Sequence, residues 1–171
     1  MLAANSLASV ATILFLLIMA YAGIMDLFTL RIRNVLVLAV VALWAVAAPL
    51  AGMSPVDIGL SIAAAGIVFV LSGFFFALGW IGAGDAKLAS AVALWFGWQD
   101  AFSYFVLASL FGGLLSLAII VLRTRWGPLG RELPRWLARL RDVKRGVPYG
   151  AAFAAAAFVL FSQTDWYARL A

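Results

Sequence analysis

Long apolar runs separated by short polar clusters dominate the chain. Six runs can be delimited, roughly Leu7–Met25, Val35–Met53, Asp57–Leu78, Ala86–Phe96, Ala101–Leu122 and Val147–Phe161. A helix perpendicular to a bilayer needs about 20 apolar residues to cross it. The fourth and sixth runs fall short of that. They are read as spans because charges and turn residues bracket them, and bilayer thinning or flanking anchors accommodate a short span. The expected fold is all-α: a polytopic bundle of about six transmembrane helices in a single domain covering residues 1–171.

Basic residues orient the bundle, because Lys and Arg collect in cytoplasmic loops. Arg31 and Arg33 follow span 1, and Lys87 lies at the span 3–4 turn. Arg123, Arg125, Arg131, Arg135, Arg139, Arg141, Lys144 and Arg145 fill the span 5–6 loop. Every basic residue except Arg169 thus falls on alternate loops. Both termini are expected outside, with loops 1–2, 3–4 and 5–6 in the cytoplasm. Asp57, Asp100 and Asp165 mark the opposite face. Nothing before Asp26 is basic, so the first run lacks the positive start of a cleaved signal peptide. The sequence shows no internal repeat and no low-complexity tract.

Composition agrees with a membrane protein. The 171 residues are 67% hydrophobic, with a mean hydropathy of +1.11; a soluble domain is about 45–50% apolar. The chain also has no histidine and no cysteine. That excludes a Ser-His-Asp triad, a cysteine nucleophile, HExxH zinc chemistry and thiolate metal sites. Any acid or base catalyst must be Asp, Glu, Lys or Tyr.

Two carboxylates stand out against this background. Asp26 closes span 1, and Asp85 opens span 4 directly behind Gly82-Ala83-Gly84. A charge costs about 2.5–3.5 kcal/mol at a membrane helix centre, so charges at span ends invite a reason. Both fall on the cytoplasmic side of the expected topology and can meet without being sequence neighbours. Peptide hydrolysis by two aspartates needs one proton shared between them. The ionised carboxylate takes a proton from water, while the protonated one polarises the carbonyl and later protonates the leaving nitrogen. Such a dyad titrates as a unit, so neither residue is assigned as acid or base. Gly82 and Gly84 permit φ > 0 and carry no Cβ, so a substrate backbone could approach Asp85 in extended form and bond to exposed glycine amides. The plainer reading is a Gly-rich turn whose aspartate caps a helix; it leaves Asp26 without a partner.

Three ordered motifs make the chain resemble a type IV prepilin peptidase, a membrane aspartic protease of the GxGD class. Asp26-Leu27-Phe28-Thr29-Leu30-Arg31-Ile32-Arg33-Asn34 is similar to that family's aspartate followed by an Ile-Pro-Asn ending. Gly82-Ala83-Gly84-Asp85-Ala86-Lys87 resembles GxGDxK, and Val147-Pro148-Tyr149-Gly150 is like the Pro-aromatic-Gly that opens the last helix. The resemblance covers nearly the whole length. It implies catalysis by Asp26 and Asp85, without metal or organic cofactor, and removal of the basic leader from prepilin-like precursors at the cytoplasmic face of the bacterial inner membrane. It places Gly82, Gly84, Asn34 and Tyr149 at the substrate side of the site. Arg33 stands where the family usually has proline. Larger members carry a cytoplasmic cysteine-bearing insert and also N-methylate the trimmed pilin. This chain has neither cysteine nor room for an insert in loop 1–2, so no methyltransferase activity is expected. Its size is like the minimal form associated with tight-adherence (Flp-type) pili.

Other residues are expected to serve the membrane. Lys87 lies about 200° round a helix from Asp85, and snorkelling to lipid phosphate is preferred over a catalytic role. Pro134–Lys144 reads as a basic amphipathic helix, with Trp136, Leu140 and Val143 on one face. Arg135 and Arg139 then meet anionic lipid. An interfacial anchor is preferred over a gate. Gly150, Ala151, Ala154 and Ala155 allow close helix packing. Tyr149 is either a hydrogen-bonding group near the site or an interfacial anchor. Trp80, Trp95, Trp98, Trp126 and Trp166 are placed in interfacial aromatic belts. Prepilin-like proteins and anionic lipids are the expected partners; nucleic acid is not. Two rivals stay open. An intramembrane protease of the presenilin or signal-peptide-peptidase kind would be longer and carry a Pro-Ala-Leu motif. A proton-coupled transporter or channel would string the two aspartates along a pathway.

Overall fold

The structure is a computed structural model describing residues 2–125, 135–142, 146–164 and 166, with the backbone alone described for 2–8, 125 and 135. The described residues form α1 (Leu2–Thr29), α2 (Asn34–Leu50), α3 (Pro55–Ala77), α4 (Ala83–Arg125), α5 (Arg135–Arg141) and α6 (Tyr149–Leu160), followed by a 3-10 turn at Phe161–Gln163. They contain no strand. Ser9–Thr29 of α1, α3 and Ala83–Thr124 of α4 are each long and apolar enough to cross a bilayer, and α2 and α6 are shorter apolar helices. The chain is an all-α membrane protein.

The turn expected between the fourth and fifth runs is reduced to one residue. Trp98, Gln99 and Asp100 are helical, and only Gly97 breaks α4, at φ 61°, ψ −167°. The left-handed φ favours glycine, and a Cβ there would stand 3.2 Å from Ser61 Oγ. The chain doubles back at this point, giving α4 a first arm (83–96) and a second arm (98–125). Phe96 and Tyr104 stack across the hinge with centroids 4.2 Å apart, and the Tyr104 hydroxyl donates to the Phe153 carbonyl of α6 at 2.9 Å.

The two ends of the bundle differ. At the hinge end, Met53, Asp57, Gly97, Asp100 and Trp166 line a small cavity of about 60 Å³. Asp57 also completes a capping box: its amide donates to Ser54 Oγ, its Oδ2 accepts the Ser54 N–H, and Pro55 starts α3. These bonds satisfy two helix-start amides. Asp165 and Arg169, expected on this side, lie outside the described residues. The opposite end gathers Asp26, Asp85, Lys87 and α5.

Two tryptophans expected at the interface are core residues instead. Trp95 is 1% exposed and Trp166 4%. Trp95 stacks on Phe15 at 4.4 Å, meets Trp166 at 4.9 Å, and donates its indole N–H to the Val40 carbonyl of α2 at 3.1 Å. Helices from three parts of the chain converge on this indole, and its buried N–H requires an acceptor. Trp80 and Trp98 are exposed, as belt residues should be; Trp126 lies outside the described residues. Replacing Trp95 by Phe removes the hydrogen bond and leaves a void. A loss of about 1–3 kcal/mol is expected, measurable as a lower unfolding midpoint in detergent micelles.

Candidate active site

Asp26 sits in the last turn of α1 and is 4% exposed. The helix ends at Leu30, whose φ is +53° and whose N–H bonds to the Asp26 carbonyl at 2.8 Å. A leucine in that conformation costs about 1–2 kcal/mol. The Asp26 carboxylate faces α6, where Oδ2 accepts the Gly150 N–H at 2.8 Å. Gly150 opens α6, so this bond serves a helix-start amide that has no partner within its own helix.

Glycine at 150 is a steric requirement. A Cβ there would lie 2.9 Å from Asp26 Oδ2, 3.0 Å from Asp26 Cβ and 3.0 Å from Ile32 Cδ1. One turn earlier on α1, a Cβ on Gly23 would stand 2.8 Å from Ala154 Cβ and 3.2 Å from Ala151 Cα. The small residues of α6 thus pack on α1 and hold Gly150 against Asp26, as expected for close helix packing.

Asp85 is the third residue of α4, and its Oδ2 accepts the Gly82 N–H at 3.1 Å. The expected left-handed glycines are not found here: positive-φ glycines occur at 52, 79 and 97 among the described residues. Closeness is the reason for these two glycines. A Cβ on Gly82 would meet Asp85 Oδ2 at 2.9 Å, and one on Gly84 would meet Ile32 Cβ at 3.1 Å. Ser72 of α3 donates to the Ala86 carbonyl at 3.2 Å and fixes the start of α4.

Ile32 joins the two halves of the site. It lies against Gly84, beside Asp85, and against Gly150, which bonds Asp26. The two carboxylates lie within electrostatic range of each other. Among the described residues each holds one hydrogen bond, from a glycine amide, leaving its second oxygen for water or a carbonyl. Two carboxylates close enough to feel each other's charge can share a proton and activate water against an amide.

The other expected residues surround this pair. Lys87 is exposed, and its ammonium donates to Asn34 Oδ1 at 3.2 Å, linking the starts of α4 and α2. Tyr149 lays its ring on α4, 3.0 Å from where a Gly112 Cβ would be. Trp136 of α5 meets Phe28 edge-on at 5.5 Å, and Leu140 is buried on the same face. Arg139 is exposed, and its guanidinium donates to the Phe28 carbonyl at 3.0 Å. Arg123 donates to the carbonyls of Leu140 and Asp142. Among the described residues the amphipathic helix is seven residues long, and these contacts dock it on α1 and α4. Pro134, Val143 and Lys144, with Arg131, Glu132 and Arg145, lie outside the described residues, as do the side chains of Arg125 and Arg135.

The model of the type IV leader peptidase family matches residues 13–117, more than half of the chain. The chain belongs to that family. No curated protein and no solved structure matches it. The matched stretch of this leader peptidase family member contains Asp26 and Asp85 and ends before α5 and α6, so Gly150 lies beyond it. Gly23 and Ser72 escaped the sequence reading, and Ile32 entered it only as part of the Asp26–Asn34 motif. Gly23 carries one usable signal, since it lies three residues before Asp26 and so shares its helix face. Ser72 is a lone hydroxyl in an apolar run. The motif marked Ile32 as part of the turn after span 1, but nothing in it pointed to contact with both Gly84 and Gly150.

Proposed function

We propose that the chain is a membrane aspartic endopeptidase that removes the basic leader from Flp-type prepilin precursors, with Asp26 and Asp85 as its catalytic pair. The observation that carries this reading is the arrangement of the two carboxylates, each held by one glycine amide at the same end of the bundle. One carboxylate takes a proton from water while its protonated partner polarises the scissile carbonyl. Proton return to the leaving nitrogen completes hydrolysis. Gly82 and Gly84 keep side chains out of the approach to Asp85, and Asn34 and Tyr149 flank the entry.

The setting is a multi-pass protein of the bacterial inner membrane, one peptidase domain over residues 1–171, with the site at the cytoplasmic face. A net basic face gains nothing from a basic leader directly. Shared attraction to anionic lipid is the better account of how both reach the membrane, with Lys87, Arg135 and Arg139 among the lipid-facing groups. Trimming without N-methylation is expected.

The test is incubation of the full chain in liposomes with a prepilin-like precursor, followed by N-terminal sequencing of the product. A single cut at the leader junction supports the reading. Proton flux with no cut peptide would instead support transport, for which the convergence of the aspartates is the wrong arrangement.

A further inference from the structure

A groove of about 770 Å³ runs between α3, the second arm of α4 and α6. Its walls are almost wholly apolar, with Leu71, Phe75, Phe102, Phe105 and Phe153 among them. At one end lies Trp98, next to the hinge; at the other lie Trp80 and Ile81. The stretch of α4 from Trp98 to Gly113 covers roughly 22 Å at 1.5 Å per residue, most of a bilayer core.

The groove is continuous with the candidate site through three lining residues. Ile81 immediately precedes Gly82, whose amide holds Asp85. Ser72 bonds the carbonyl of Ala86, next to Asp85. Tyr149 immediately precedes Gly150, whose amide holds Asp26. A polypeptide lying in the groove would leave it beside both carboxylates.

We propose that this groove holds an apolar helical segment of the precursor next to the scissile bond. The proposal rests on the peptidase reading and names the part of the substrate recognised. The occupant must be helical, because an extended chain would leave its amides unmatched against an apolar wall, whereas a helix satisfies its own. The length fits about four turns of helix, and aromatic walls suit the ridges of a helical face. Specificity then comes from two features: an apolar helix in the groove, and a bond presented at its inner end.

Gly113 provides a clean test. It lines the groove, and a Cβ there meets nothing within 4 Å. Gly113→Phe therefore adds a ring at a groove-lining position whose Cβ has open space. Gly66→Phe is the control, since Gly66 also has open space around it but does not line the groove. With a full-length prepilin-like precursor in phosphatidylethanolamine–phosphatidylglycerol liposomes, Gly113→Phe is expected to raise KM about tenfold or more with kcat unchanged, the pattern of lost substrate binding. A short soluble peptide spanning the cut should be processed as by wild type, and Gly66→Phe should match wild type on both substrates.

In an Asp26→Asn background, benzoylphenylalanine at Phe102 or Phe105 should crosslink to the precursor. The same probe at Leu38, exposed on α2, should not. Crosslinks to phospholipid alone, or wild-type KM in Gly113→Phe, would overturn the groove proposal and leave the peptidase reading standing. Failure of the wild-type chain to cut the precursor would bring down the peptidase reading itself, and that arm is read separately.

Discussion

Asp26→Asn and Asp85→Asn each lower prepilin cleavage about a thousandfold or more while the protein still reaches the membrane at its normal level. Asn preserves the size of the side chain, and its carbonyl can still accept the Gly150 or Gly82 N–H. What it removes is the proton that the pair must share. General acid–base catalysis contributes about 10²–10⁴-fold where one group is lost; here each loss disables both, because neither carboxylate can run the cycle alone. The double variant should accordingly be no worse than either single one, as found for groups acting as a unit. A gel-shift assay on co-expressed precursor, with membrane levels checked by blot, reads the result. Cleavage retained by either variant would make that aspartate a structural cap and return attention to transport.

Gly150→Val is expected to be the most damaging change outside the pair. Even a bare Cβ at 150 would press on Asp26 Oδ2, Asp26 Cβ and Ile32 Cδ1, all at 2.9–3.0 Å. Ile32 Cδ1 can swing aside, but the Asp26 Cβ cannot, because the aspartate is buried in the last turn of α1. The bundle can open between α1 and α6, or the carboxylate can turn away. Overpacking of this kind costs about 1–3 kcal/mol, and displacement of a catalytic group by about 1 Å can cost about a hundredfold in rate. Both losses should appear together, as a lowered unfolding midpoint and a lowered kcat. Gly146→Val is the control, because it adds the same side chain just before α6, where a Cβ meets nothing within 4 Å. Equal effects at 146 and 150 would show that contact with Asp26 is not what the substitution reads.

The parts of the fold that the sequence reveals are those governed by one-dimensional rules. Six apolar runs account for α1, α2, α3, the two arms of α4 and α6, because apolar length itself decides what can cross a bilayer. Asp26 and Asp85 stand out because charge is scarce there. The misreadings share one cause, that a residue type has several possible contexts. Trp98-Gln99-Asp100 has the polarity of a loop, yet α4 resumes at once after Gly97. Trp95 and Trp166 lie near run ends like belt residues, but those ends are roofed by Phe15 and Phe161. At Gly82 and Gly84 the lack of a Cβ matters and the freedom of φ does not. The meeting of Ile32 with both glycine motifs could not be read at all, since it depends on how α1, α4 and α6 come together.

The single-residue hinge at Gly97 leaves α4 with no slack. An α-helix advances 100° for each residue, so one residue gained or lost between Asp85 and the hinge would turn Asp85 by that angle, with no loop to absorb the change. Asp85 would then look toward lipid or into the packed interior, although every motif residue was still present. The hinge thus acts as a phase setting for the molecule. Chain length is therefore constrained all the way from Asp85 to the far end of the bundle, well outside the motif that marks the candidate site.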